Sequence, residues 1–166
     1  SIKDNSLPMI FSIGDIVIST DVVQHDIKLI GEKGEDAGFD LVRGTVEFSD
    51  EKIIRLPADQ QLAAHLKKAC SELDRVTTFL GTIATGEQFI SSIDGRWEIG
   101  TYFNALACEM EGGAIGQVCY RNGVPFVILR AISDNIDANS VIDFMAFKTL
   151  AANNTTKAIA RMFDLL

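Results

Sequence analysis

Residues 104–134 read NALACEMEGGAIGQVCYRNGVPFVILRAISD, and this stretch decides the fold class. Asn104 to Cys108 is short and largely apolar, a strand running into Glu109-Met110-Glu111. Ala114, Ile115, Val118 and Cys119 then follow at helical spacing, and Asn122-Gly123 supplies a C-cap pair. Pro125 to Ile132 is the clearest buried strand of the chain and ends in Ser133-Asp134. Strand, helix and strand in that order are the unit of an α/β fold with a largely parallel sheet. Strands that are apolar almost throughout need cover on both faces.

Working outward, the same alternation continues. Ile16 to Thr20, after Gly14-Asp15, reads as a short buried strand. Residues 30–45 are rich in Gly, Glu, Asp and Lys and read as a long mobile loop. Pro57 opens a helix with Leu62, Leu66, Ala69 and Leu73 on one face. Val76 to Thr85 is apolar and β-branched, a strand leading into Gly86-Glu87-Gln88-Phe89-Ile90, and Asp94-Gly95 marks a turn. Ser140 and Asp143 resemble a capping box for a last helix that turns Phe144, Phe147, Ala151, Ala158, Ile159, Met162 and Phe163 inward. No repeat or linker divides the 166 residues, so they read as one unit.

Composition narrows the partners. Fifteen basic against twenty-three acidic residues leave a net charge of −8, with no basic run. That balance disfavours nucleic acid and anionic membrane surfaces as partners. No apolar run approaches the roughly 18 residues of a membrane span. The three cysteines cannot all pair, and none has zinc-ligand spacing with His25 or His65, which points to a reducing cytoplasm.

Three strands end near Thr85, Cys108 and Ile132, each followed at once by polar, aromatic or acidic residues. Ligands of open α/β sheets bind beyond the carboxyl ends of the strands, so Phe89, Glu109, Glu111 and Asp134 become candidates for one shared site. A glycosidic bond breaks through an oxocarbenium-like state that needs an acid on the leaving group and negative charge near the sugar. Asp134 suits the acid, Glu111 the sugar hydroxyls, and Phe89 a flat heterocycle. Plainer roles compete: a carboxylate after a strand is the usual helix N-cap, and a lone phenylalanine is usually core. Arg130, inside an apolar strand, calls for a carboxylate partner, and Glu109 is the candidate. The cysteines read as buried small hydrophobes and His25 as structural.

Several segments occur in a telling order. They are Gly14-Asp15-Ile16-Val17-Ile18-Ser19, His25-Asp26, Gly81 to Ile90, Cys108-Glu109-Met110-Glu111-Gly112-Gly113-Ala114-Ile115, and Val124 to Asp134. Together they resemble the bacterial 5′-methylthioadenosine/S-adenosylhomocysteine nucleosidases of the purine nucleoside phosphorylase-like superfamily. The resemblance implies a phosphorylase/hydrolase-like three-layer α/β/α fold around a mostly parallel twisted sheet. It also implies N-glycosidic hydrolysis releasing adenine, with water as nucleophile, no metal or organic cofactor, and a homodimer. By the same resemblance Asp134 protonates adenine at N7 and Ser133 positions it. Phe89 stacks on the base and the Ile90 backbone bonds its edge. Met110 and Glu111 hold the ribose, Phe144 lines the pocket, and Glu109 with Arg130 supports the site from behind.

Two departures accompany the match. Family members begin with strands carrying a water-activating glutamate and a glycine-rich loop, which residues 1–6 do not resemble. Residues 1–166 are therefore expected to be the C-terminal two-thirds of a single nucleosidase domain, with a companion N-terminal fragment as one possible partner. The 27–45 loop lacks, from Leu29 to Glu35, the aromatic that serves the neighbouring subunit's alkylthio pocket, which leaves preference at the 5′ position open. A phosphate-using purine nucleoside phosphorylase and a non-catalytic fragment are the alternatives.

Overall fold

The structure, a computed structural model, describes residues 11–28, 42–133 and 140–166, with no side-chain account for 140–148 and 150. Strand β1, Ile16–Gln24, is the axis of the sheet. It extends well past the expected Thr20, because a register shift between Ser19 and Asp21 lets it continue beside its neighbour. That neighbour, β5 (Thr78–Thr85), runs parallel to it from Ile16↔Thr78 to Gln24↔Thr85, and β6 (Ala105–Glu109) runs parallel to β5. Two short strands complete the other edge of β1, both antiparallel: β4 (Leu56–Pro57) and β7 (Leu129–Ala131). A small hairpin, β2 (Val46–Glu47) with β3 (Lys52–Ile53), stands apart. The sheet is thus mixed, with its long ladders parallel.

Helices cover it on both sides. Before the register shift, Ile16 and Ile18 are fully buried against α1 (Gln60–Cys70) and α4 (Ser140–Phe163), with Leu66, Ala69, Cys70, Ala158 and Met162. After it, Val22 joins Leu56 and Phe126 under α3 (Gly112–Arg121), while Val23 joins Ile99 and Phe103 of α2 (Ile93–Phe103). Adjacent strand residues face opposite ways, so α2 and α3 lie on opposite faces. Arg55 locks the irregular part of β1: Nη1 donates to Asp21 Oδ1 at 2.8 Å and Thr82 Oγ1 at 2.8 Å, and Nη2 to Phe103 O at 2.7 Å.

Several sequence expectations need correction. The first helix starts at Gln60, not Pro57, because the Asp59 carboxylate caps it by accepting from Leu62 N at 2.8 Å while Leu56–Pro57 pairs with β1. Asp94-Gly95 is no turn but the first turn of α2, capped by Ser92 Oγ. Helix α3 turns Gly112, Gly113 and Gly116 inward and leaves Ile115 and Val118 exposed, the reverse of the expected face apart from Cys119. The strand expected over Pro125 to Ile132 shortens to Leu129–Ala131, and Ile159 and Phe163 of α4 are exposed. The loop expected at 30–45 lies largely outside the described residues.

Candidate active site

The carboxyl ends of β5 and β6 lie side by side, with Thr85 paired to Glu109, and Gln24 of β1 completes the row beside Thr85. What leaves these strand ends is held tightly. Gly86 N donates to Glu109 O at 3.2 Å, and Glu87 N donates to the Asp26 carboxylate at 2.6 Å. A side chain at Gly86 would meet His25 Nε2 at 2.5 Å, so only glycine lets the chain turn here. Burial lowers the His25 pKa, and Asp26 opposes it, so the imidazole is neutral at physiological pH. The loop that results displays Phe89 at 76% exposure, while Ile90 O accepts from Arg96 Nε at 2.9 Å.

On the neighbouring strand end, Glu109 is buried at 5% exposure and turns its carboxylate onto the start of α3. It accepts from Glu111 N at 2.9 Å and from Gly112 N at 2.8 and 3.0 Å. An anion there also meets the positive end of the helix dipole. Gly113 N donates to Thr85 Oγ1 at 3.1 Å, tying the helix start to β5. Met110 and Glu111 project from this anchored corner, the first 40% exposed and the second with its side chain 67% exposed. Arg130 lies 3.7 Å from the Glu111 carboxylate, so its partner is Glu111 and not Glu109 as the sequence suggested. Glu109 is spoken for by backbone N–H groups.

Of the three strand ends expected to share one crevice, those of β5 and β6 lie side by side. Strand β7 runs antiparallel to β1, with Ile132 N donating to Asp15 O at 2.8 Å, and its Arg130 side chain reaches the Glu111 carboxylate of the corner. Ser133 is half-buried beyond it. Asp134 and the side chain of Phe144 lie outside the described residues. A cavity of about 190 Å³ opens behind the Phe89 loop between His25, Arg43, Ile90 and Glu98. It is smaller than the roughly 300 Å³ of ordinary ligand pockets and does not hold a nucleoside by itself. Among the described residues no cluster of His, Cys, Asp or Glu could hold a metal ion.

Sequence reasoning missed Asp26 and Arg96 as supports of this site. His25-Asp26 was visible as a pair, but Arg96 carries no signal, because it acts on a backbone carbonyl. Cys108 was expected to be buried and is exposed, yet desolvation of its thiol and the adjacent Glu109 carboxylate push its pKa up to about 11. It therefore stays protonated at neutral pH. Iodoacetamide at pH 8 should alkylate Cys108 about tenfold more slowly than a free thiol of ordinary pKa, with the rate climbing towards pH 11. Rapid labelling at pH 8 by mass spectrometry would contradict that.

The family model of the phosphorylase superfamily matches residues 6–164. The chain belongs to the phosphorylase superfamily. Within that superfamily its similarity is to nucleosidases. It is 35% identical over 152 residues to the 5′-methylthioadenosine/S-adenosylhomocysteine nucleosidase of Bacillus subtilis, covering 91% of this chain and 62% of that one. It is 34% identical over 161 residues to the aminodeoxyfutalosine nucleosidase of Helicobacter pylori, covering 97% and 65%. The solved nucleosidase of Neisseria meningitidis in complex with methylthio-immucillin-A superposes with a TM-score of 0.80 at 32% identity, covering 93% of this chain and 63% of that one. The chain thus spans less than two-thirds of the length of each of these phosphorylase-superfamily relatives.

Proposed function

We propose that the protein hydrolyses the N-glycosidic bond of 5′-methylthioadenosine and S-adenosylhomocysteine and releases adenine. The observation that carries this reading is the corner formed by the ends of β5 and β6. It displays an exposed aromatic, Phe89, on the loop after β5 and an exposed carboxylate, Glu111, after β6, each on anchored backbone. Relatives named for this activity share about a third of the sequence.

In this reading Phe89 stacks on adenine and the Ile90 backbone bonds the base edge. Met110 packs on the ribose, and Glu111 accepts from its hydroxyls while Arg130 restrains the carboxylate. Phe144 lines the pocket, and Ser133 positions Asp134. As the C1′–N9 bond breaks, its electrons pass into the purine and Asp134 delivers a proton to N7, so adenine leaves neutral. Water attacks the oxocarbenium carbon and gives up a proton to a carboxylate base. We place that base outside residues 1–166, which we read as the C-terminal two-thirds of a nucleosidase domain. The rest of the whole protein, or a companion fragment, supplies it.

The chemistry asks for no metal or organic cofactor. We read the protein as a cytoplasmic homodimer that binds neither nucleic acid nor membrane. Exposed Ile93 and Trp97 on α2 and Ile115 and Val118 on α3 support self-association. Among the described residues, no helix is long and apolar enough to cross a membrane.

The test is adenine release from 5′-methylthioadenosine, S-adenosylhomocysteine and aminodeoxyfutalosine, followed by chromatography with and without phosphate. We expect release that is independent of phosphate. Strict phosphate dependence would make the protein a phosphorylase, and no release from the whole protein would leave a non-catalytic fold.

A further inference from the structure

We propose that Arg96 is a positioning residue for base recognition, fixing the Ile90 carbonyl so that the site prefers 6-amino over 6-oxo purines. The inference rests on the nucleosidase reading in one respect, that the Ile90 backbone meets the base edge.

The geometry begins with two clamps on the loop after β5. At its start, the Asp26 carboxylate accepts from Glu87 N at 2.6 Å. At its far end, Arg96 Nε donates to Ile90 O at 2.9 Å from the first turns of α2. Helix α2 is seated close against this point. A Cβ at Gly95 would fall 2.8 Å from Ser92 Oγ and 3.1 Å from the Ile90 side chain, and Ser92 Oγ itself caps the helix by accepting from Gly95 N. Arg96 is therefore held by a capped helix, and the carbonyl it grips cannot rotate without breaking a charge-assisted bond.

A carbonyl oxygen has two acceptor sites, and Arg96 occupies one. The other remains an acceptor of fixed direction. An exocyclic amine donates to such an oxygen, whereas a 6-oxo group opposes it with a second acceptor and leaves both unpaired. Discrimination of this kind depends on the carbonyl being unable to turn away, because a rotated peptide would offer the 6-oxo base its N–H instead. The guanidinium supplies that restraint. It touches no substrate and is not a catalytic residue.

Calorimetric titration of this chain with free adenine and free hypoxanthine tests the assignment. The parent should bind adenine more tightly, and Arg96→Met should reduce the adenine-to-hypoxanthine affinity ratio about tenfold. Arg96→Lys, which keeps a charged donor, should hold the ratio within about threefold of the parent. The ratio is not moved by a merely structural loss, since unfolded chain binds neither base. Should Arg96→Met yield no folded protein, Arg96→Leu takes its place with the same criterion. A parental ratio in the donor-free variant overturns this inference alone. A parent that binds neither base overturns the base-site reading, and the role of Arg96 with it.

Discussion

Asp134→Asn is expected to leave adenine binding intact and to slow adenine release by about 10²–10⁴-fold, the usual contribution of a general acid. The side chains are nearly isosteric, so the amide keeps hydrogen-bonding capacity towards the base but has no carboxylic proton to give. Adenine expelled without protonation departs as an anion, and the bond to C1′ must carry that cost in the transition state. The loss should therefore depend on the leaving group. A riboside of 4-nitrophenol leaves as a stable anion and needs no proton, so its hydrolysis should be nearly unaffected. Comparison of the two substrates in a preparation that releases adenine distinguishes acid catalysis from simple damage. Equal losses on both substrates would remove Asp134 from the acid role, and so would parental rates on adenine.

The parts of this molecule that were legible in its sequence are those set by burial. The strands Val76 to Thr85 and Asn104 to Cys108 appear within two residues of their observed limits, because apolar runs bounded by polar residues admit few other readings. Phe89 and Glu111 stood out as candidates because they follow strand ends closely, and both side chains are exposed there. The direction of β7 was not legible. Its antiparallel pairing with β1 depends on how the chain returns from α3, which composition does not encode.

Helix α3 misled the periodicity argument for a specific reason. A Cβ at Gly113 would lie 2.4 Å from Thr85 Cγ2, and one at Gly116 would lie 3.3 Å from the Phe126 ring, so the helix approaches the sheet through glycine. An argument that looks for bulky apolar residues then selects the outer face. Helix α2 was hidden by Asp94-Gly95, a turn signal that the Ser92 cap overrides. The roles of Arg96 and Asp26 were not legible because their partners are backbone atoms of a loop.

Glu109→Ala should produce the largest loss of stability, about 3 kcal/mol, from two charge-assisted bonds of about 1.5–3 kcal/mol that partly overlap. Helix α3 has no ordinary cap, since Glu111 occupies the N-cap position without a side-chain bond to the helix. Glu109, two residues earlier and at the end of β6, supplies that function from the strand side. Truncation leaves the N–H of Gly112 buried without its acceptor and takes the negative charge from the helix N-terminus. The carboxylate seats tightly on the helix start, where a Cβ at Gly112 would stand 2.8 Å from Glu109 Oε1. Glu109→Gln keeps one acceptor and loses the charge, so it should cost about 1 kcal/mol. Urea denaturation of the three proteins measures both differences, and a cost below about 1 kcal/mol for the alanine variant would show that another group caps α3. The same anchor sets where Glu111 meets Arg130, so the effect reaches function. Among molecules still folded, the alanine variant should hold the Glu111 carboxylate less firmly than the glutamine variant does. The strand end that shapes the sheet thus also aims the site, and a single buried carboxylate performs both tasks.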